Sequence, residues 1–339
     1  MKKKDIINLV VLIIVIFAAG YSYYNKTYKY ERDAFLLDTA INVRFESKHK
    51  KDDALMNALL QKIKAADSVF SYYKKDSEVW EINHSQKDSL KVSDDIINML
   101  TIGAKLYMQS DSLYDLSIGE LTDIWDFEKR IIPSKAKIDS VLKNIGFYKI
   151  KIGNDFIIKD KNIKLNFGSI AKGLIIDKAV TFLKNNKIKK GIVNAGGDIK
   201  IFGYKKPILI GIQHPRKKTG EVIATIKLKN CAVVTSGDYE RYFIKNGVRY
   251  HHILNPKTGF PAKESISVTV IADNAIIADA YSTALFLLNP NKAIKLAKNT
   301  PDIDAIIFYQ KNGKIFYKKS FGTNKYSFKI IDNNIKEEE

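Results

Sequence analysis

The sequence predicts an α+β fold, with mixed or antiparallel sheets and packed helices, preceded by one N-terminal membrane-anchor helix. Three observations carry that prediction. An apolar run opens the chain behind a triple lysine. Two stretches with helical apolar spacing follow. Beyond residue 150, short strands come in runs rather than in strict β-α-β alternation.

Lys2, Lys3 and Lys4 precede Ile6 to Gly20, which only Asn8 interrupts. Tyr21, Tyr23 and Tyr24, with Ser22 among them, lead on to Asn25 and Lys26. Basic flank, apolar core and aromatic belt are the layout of a membrane-spanning helix. The 19 residues from Ile6 to Tyr24 approach the roughly 20 that a bilayer needs. Ala18-Ala19-Gly20 also suits signal-peptide cleavage. The aromatic belt is useful only to a retained helix and favours the anchor. No cysteine lies near position 20, which excludes a lipid-modified N-terminus. Residues 1–25 are therefore expected to be the signal or anchor, and 26–339 the exported domain. The lysines hold the N-terminus inside. The domain is then expected on the periplasmic or extracytoplasmic side of the inner (cytoplasmic) membrane.

Residues 35–46 read as strand, with Ile41, Val43 and Phe45 alternating. Residues 51–70 read as helix from Leu55, Leu59, Ile63 and Ala66. Residues 94–109 read as another, capped by Ser93 or Asp94. Strands are expected at 156–159, 163–167, 191–194, 199–202, 207–212, 222–228 and 266–272. Helices are expected at 170–185 and 277–288.

The chain holds 56 Lys+Arg against 37 Asp+Glu, a net charge of +19, yet only six of the cations are arginine. Base and phosphate recognition favours arginine forks. With no basic stripe or motif, no nucleic-acid partner is expected, while anionic substrates and lipid stay compatible with the charge. An apolar fraction of 45% rules out wholesale disorder. The single cysteine, Cys231, excludes an intrachain disulfide and any multi-cysteine metal site.

Four segments carry candidate chemistry. Asn166-Phe167-Gly168-Ser169-Ile170-Ala171-Lys172-Gly173 is a strand end running into a helix start, whose free N–H groups attract phosphate. It also reads as an ordinary turn with a surface lysine. Val193-Asn194-Ala195-Gly196-Gly197-Asp198-Ile199 is equally a plain hairpin turn. Thr235-Ser236-Gly237-Asp238-Tyr239-Glu240-Arg241-Tyr242 precedes Tyr250-His251-His252-Ile253-Leu254-Asn255-Pro256, where His252 suits a loop-borne base. Ser236, Asp238 and His252 could be misread as a hydrolase triad, but no nucleophile elbow surrounds Ser236. In Ala278-Asp279-Ala280-Tyr281-Ser282-Thr283-Ala284, Asp279 and Thr283 share one helix face. A carboxylate and a hydroxyl together suit Mg2+. Helix capping by Asp279 is the competing reading.

Taken in series, these segments resemble the ApbE family of FAD:protein FMN transferases. Asp38-Thr39, Tyr73-Lys74-Lys75-Asp76-Ser77-Glu78 and Tyr114-Asp115-Leu116-Ser117-Ile118-Gly119 agree with it upstream, so the likeness covers roughly 35–310. It implies an ApbE-like α+β domain with FAD as substrate and Mg2+ as cofactor. Such an enzyme passes the FMN moiety to a Thr or Ser hydroxyl of a target protein and releases AMP. By matching position, Tyr73, Leu113, Tyr114, Asp115, Asn166, Lys172 and Ile253 are the implied FAD contacts. Asn166 stands where the family usually has Asp. Ser169, through its carbonyl, with Asp279 and Thr283 is the implied metal set. Ser282 stands where some members add a second Asp. His252 is the implied base. The resemblance also implies an acceptor protein carrying D-x-x-S/T-G/A-A-T; this chain has no copy, so self-modification is not expected. Two alternatives use the same residues: a Mg2+-dependent FAD pyrophosphatase giving FMN and AMP, and a membrane-anchored flavin-binding protein without turnover.

Overall fold

Helix α1 (Lys3–Tyr24) is long and apolar enough to cross a membrane, and its apolar stretch is not buried against the rest of the chain. The computed structural model describes residues 3–24, 26–50, 52–322 and 324–338. Lys2 of the basic flank and Asn25 at the expected end of the anchor lie outside the described residues.

Strands β1 (Tyr28–Leu36) and β2 (Thr39–Ser47) pair as a hairpin. The stretch 35–46 is therefore not one strand. Leu37 and Asp38 both take positive φ (57° and 54°) and reverse the chain. Two left-handed residues in a row match the twist of a two-residue hairpin. Leu37 lacks the Asn or Gly that would have signalled it. Helices α2 (Asp53–Phe70) and α3 (Glu78–His84), strand β3 (Ser89–Lys91) and helix α4 (Asp94–Gln109) follow. Ser93 caps α4 as expected: its hydroxyl accepts the Ile96 N–H and donates to Glu78 at 2.7 Å. Short helices α5 (Gly119–Ile124) and α6 (Lys135–Leu142) lead to β4 (Lys151–Ile152) and β5 (Phe156–Ile158).

The expected strand at 163–167 does not form. Ile163, Leu165 and Phe167 alternate into the core as a strand would, but only Lys164 makes a bridge, to Ile118. The missing ladder is replaced by a side chain. Buried Asn83, on α3, accepts the Leu165 N–H at 2.7 Å and donates to the Leu165 carbonyl at 2.8 Å. Asn83→Ala would leave both backbone groups buried and unpaired, at roughly 1–3 kcal/mol for each. A loss of that size in unfolding free energy, read from a lower urea midpoint, is expected, and an unchanged midpoint would show that the amide is not needed.

The second half opens with helix α7 (Ala171–Asn185) and the hairpin β6 (Lys190–Ala195) and β7 (Asp198–Phe202). Next come β8 (Ile208–Gln213), β9 (Val222–Leu228) and β10 (Ala232–Gly237), then a separate hairpin of β11 (Tyr242–Lys245) and β12 (Val248–His251). The chain ends with β13 (Ser267–Ala272), α8 (Ala275–Leu287), α9 (Pro290–Lys298), β14 (Ile303–Lys311), β15 (Lys314–Lys319), β16 (Lys329–Ile330) and β17 (Lys336–Glu337).

The central sheet runs β1-β2-β6-β7-β10-β13-β14-β15-β17, antiparallel except for β15 beside β17. Successive side chains send one residue to each face. In β14, Ala305 and Ile307 enter the larger core against α2, α4, α7 and α8, while Ile306 and Phe308 enter a second core under β8, β9 and β16. Covered on both faces, β13 is buried throughout and reads as an unbroken run rather than an alternation. A third cluster joins α5 and α6 to the β11–β12 hairpin through Leu121, Trp125, Ile138 and Phe243. The α+β class with packed helices and an apolar N-terminal helix thus stands as the sequence predicts.

Candidate active site

Two helices meet N-terminus to N-terminus and hold each other. Gly173 N–H, in the first turn of α7, donates to Asp279 Oδ2 of α8 at 2.8 Å. In return, Ala275 and Ile276 N–H of α8 donate to the carboxylate of Asp177 of α7 at 3.0 and 2.9 Å. A Cβ on Gly173 would stand 2.4 Å from the Ala275 carbonyl, so only glycine admits this approach. Asp279 does not cap its own helix, whose N-cap is Asn274; it caps the neighbouring one. The competing reading, in which Asp279 caps its own helix, is therefore not what forms.

Hydroxyl groups line up behind Asp279. Ser282 Oγ donates to the Asp279 carbonyl at 2.8 Å and lies 2.8 Å from Ser236 Oγ; Thr283 Oγ1 is 3.1 Å from the same Ser236 oxygen. A hydroxyl has one proton. With that of Ser282 committed, Ser236 donates to Ser282 and Thr283 donates to Ser236. The lone pairs of Thr283 are then left for a cation. Ser236 is thereby tied to α8, and Asp238 forms a two-pronged pair with Arg216 at 2.7 Å for each contact, so no Ser-Asp-His triad exists.

Lys172 pairs with Asp198 at 2.6 Å. Burial works against the lysine charge, but Asp198, Asp279 and Glu240 together hold its pKa above the ordinary value. Asp279 is shifted upward, by burial first and then by the charge of Asp198, against the pull of Lys172 and the Gly173 N–H. Asp198 is itself pushed up by burial, with Lys172 opposing. Neither Asp198 nor Glu240 has a role in the sequence reading. Both belong to segments already singled out, and the hairpin reading of the Gly-Gly turn concealed the first.

The other expected contacts fall into place unevenly. Tyr114, buried, receives the Ser169 hydroxyl proton at 2.9 Å and points its own OH at the Ser169 carbonyl, 3.4 Å away. Asn166 Oδ1 accepts the Gly168 N–H at 2.8 Å, and its amide donates to Thr122. That donation from the side chain is one an aspartate could not make. The Asp115 carboxylate receives the Ser117 N–H and OH and the Phe147 N–H, so it shapes the loop that carries Leu113 and Tyr114. Ile253 is buried in the main core, and Leu113 packs at its margin. Tyr73 is exposed at the rim, edge-on to Tyr72. It senses the charge of Arg241, whose carbonyl accepts the His252 N–H.

His252 Nδ1 is buried without a hydrogen-bond partner among the described residues. Burial, with His251, Arg241 and Lys172 nearby, pushes its pKa down to about 3, so the ring is neutral near pH 7. His251 is neutral too. Its Nδ1 accepts the Ile253 N–H, which leaves Nε2 to donate to the Ala262 carbonyl at 2.8 Å.

Two surface cavities lie elsewhere: one of about 330 Å3 beside Tyr30, Arg44 and Lys190, and one of about 120 Å3 beside His214, Arg216 and Arg249. Concavity does not select the site; the convergence of shifted groups does. Among the described residues no group of three or more His, Cys, Asp or Glu could hold a metal. A cation here would rest on one carboxylate and neutral oxygens. The buried, upward-shifted Asp279 beside the free lone pairs of Thr283 fits a hard ion.

The ApbE family model matches residues 37–307. A FAD:protein FMN transferase of Klebsiella pneumoniae is 30% identical over 298 residues, covering 86% of this chain and 92% of the relative. One of Treponema pallidum is 27% identical over 306 residues, with 83% and 84% covered. Among solved structures, an ApbE protein of Thermotoga maritima superimposes with a TM-score of 0.75 at 33% identity, over 83% of this chain and 94% of its own. The flavin transferase ApbE of Vibrio cholerae, at 21% identity, shares the fold with a TM-score of 0.77 over 87% of this chain and 98% of its own.

Proposed function

This chain belongs to the ApbE family of transferases, and we propose that it transfers the FMN moiety of FAD to a Thr or Ser hydroxyl of a target protein, with Mg2+, releasing AMP. The observation that carries the reading is the pair of cross-capped helices, which brings together a buried carboxylate, a hydroxyl with open lone pairs and a lysine.

In this reading the acceptor hydroxyl oxygen bonds to the FMN phosphorus, the bond from that phosphorus to the bridging oxygen breaks, and AMP leaves. A neutral His252 takes the hydroxyl proton. Lys172 and the α7 N-terminus hold the anionic pyrophosphate. The Ser169 carbonyl, Asp279 and Thr283 would hold the cation, which supplies charge neutralisation at the phosphates when bound. Tyr73 and the 113–115 loop flank the flavin and adenine ends. The target is proposed to carry a D-x-x-S/T-G/A-A-T-like segment. Helix α1 is proposed to anchor the chain in the inner membrane, with 26–339 on its extracytoplasmic side.

The test incubates the detergent-solubilised chain with FAD and Mg2+, with and without an acceptor peptide of that pattern. Peptide that gains the mass of the FMN moiety, with AMP released in step, supports transfer. Equal AMP release without peptide makes it a pyrophosphatase, and bound FAD without AMP makes it a carrier.

Lys172→Ala separates binding from structure. The variant should raise the FAD dissociation constant by about 1–3 kcal/mol, the range for a lost charge-assisted bond. It should also lose stability, because Asp198 keeps a buried charge without its partner. Adding Asp198→Asn should restore the stability but not the affinity. Titration of FAD fluorescence and calorimetry read the two effects. Unchanged FAD titrations would remove Lys172 from the site.

A further inference from the structure

The strand register gives the central sheet two chemically different ends. In the β1–β2, β2–β6 and β6–β7 pairings, Tyr28 faces Ser47, Glu46 faces Lys190 and Gly191 faces Phe202, so these residues share one end. At the other end Ala195 faces Asp198, the partner of Lys172. A strand of six residues spans about 20 Å, which is the separation between the two ends.

The Tyr28 end is the end tied to α1. Tyr24 closes that helix and Tyr28 opens β1. Four residues reach at most about 14 Å, so this end stays within that distance of wherever the helix leaves a bilayer.

The same end is rich in lysine. Gly203 packs so tightly on the Lys189 carbonyl that a Cβ would clash, and Tyr204 N–H donates to Asn230 at 2.9 Å. These contacts draw together the loops carrying Lys187, Lys189, Lys205, Lys206 and Lys229, with Lys29 on β1 beside them. All six are exposed, and none is in an ion pair among the described residues. The acid in this register, Glu46, is already paired with Lys190 at 2.7 Å. The arginine beside them, Arg44, is paired with Glu31 at 2.7 Å; unpaired lysines suit a diffuse anionic field rather than a shaped phosphate site.

We propose that this lysine-rich end is a binding surface for anionic phospholipid, which seats the domain on the bilayer with its nucleotide site at the far end of the sheet. The proposal rests on the reading of α1 as an anchor. Basic side chains beside a membrane gain most when the headgroups are negative, and the gain falls off within a Debye length. The far-end placement leaves the site open to an acceptor domain arriving from the aqueous side.

The test reconstitutes the full chain into nanodiscs of phosphatidylglycerol with phosphatidylcholine, and into discs of phosphatidylcholine alone. Amine labelling read by mass spectrometry follows Lys187, Lys189, Lys205 and Lys206, with Lys257, in the loop after His252, as the control. Labelling of the four is expected to slow about fivefold or more in the anionic discs, and to recover at high salt, with Lys257 unchanged. Lys29 is expected to be protected with them; replacing the four by glutamine should abolish that protection of Lys29 and leave FAD turnover as it was. Equal labelling in both discs overturns the proposal. So does equal protection by a soluble polyanion on neutral discs, which would make the patch a general anion surface. Failure to enter either disc overturns the anchor itself, a result distinct from insertion without protection.

Discussion

Asp279→Asn is expected to abolish transfer while leaving the fold intact. The amide still offers an oxygen to the Gly173 N–H, so the contact between α7 and α8 survives. What disappears is the charge. In the metal-free chain that charge is uncomfortable, because burial and Asp198 both disfavour it. Removing it should therefore keep or raise the melting temperature without Mg2+. The gain in melting temperature expected of Mg2+ at the proposed site should vanish. A ligand that binds only the folded state contributes about 2.7 kcal/mol at a hundred times its dissociation constant. Calorimetry with and without Mg2+ thus reads the site without any turnover. Activity should fall by roughly 10²-fold or more, since several kcal/mol of charge stabilisation are lost. Thr283→Val is the milder companion: it keeps the shape, removes one neutral oxygen and leaves Ser236 short of one donor. Unaltered Mg2+ dependence in both variants would remove the cation from this site.

His252→Ala is expected to lower turnover by about 10²–10⁴-fold, the usual worth of a positioned base, with FAD affinity little changed. Parallel loss of binding and turnover would instead make His252 a nucleotide contact. The pH dependence has a defined sign. The folded-state value of about 3 lies below the ordinary imidazole value of 6.5. Between those limits the unfolded chain binds a proton that the folded chain refuses. This histidine therefore contributes stability that is present above 6.5 and lost as pH falls toward 3. Compared with the parent, His252→Gln should lose less stability over that window, and equal slopes would contradict the burial argument. The free enzyme should also show no acid limb near pH 6.5 from this residue. An anionic pyrophosphate close by would favour the imidazolium, so saturation with FAD should move the limb upward.

Much of this site is local in sequence and was legible there. Lys172 lies at the start of α7, and Asp279 and Thr283 lie one helical turn apart on α8. Their helices announce themselves by periodicity, and the order of the motifs points to the family. What escaped is what depends on residues far apart. Asn83 substitutes for a strand at Leu165, 82 positions away, and an asparagine inside a short helix carries no mark of that duty. Asp198 follows two glycines and looks like the end of a turn until the fold sets it against Lys172. Leu37 takes a left-handed conformation that its side chain does not favour. Strand β14 is buried on both faces over much of its length and loses the alternation that would have marked it.

The crossed bonds between Asp177 and the start of α8, and between Asp279 and the start of α7, bear on how the molecule breathes. First-turn amides usually exchange with solvent early, because helix ends fray and their N–H groups lack partners within the helix. Here Gly173, Ala275 and Ile276 are each bonded to a carboxylate from the opposite helix. Neither end can fray without releasing the other. Their amides should exchange at a common, slow rate, near that of global opening. Asp177→Ala should speed all three together, although the Gly173 N–H is bonded to Asp279 and not to the Asp177 carboxylate. The two helices that frame the chemistry would then open as one unit, so a thermal fluctuation that disturbed the site would have to part the domain's core as well.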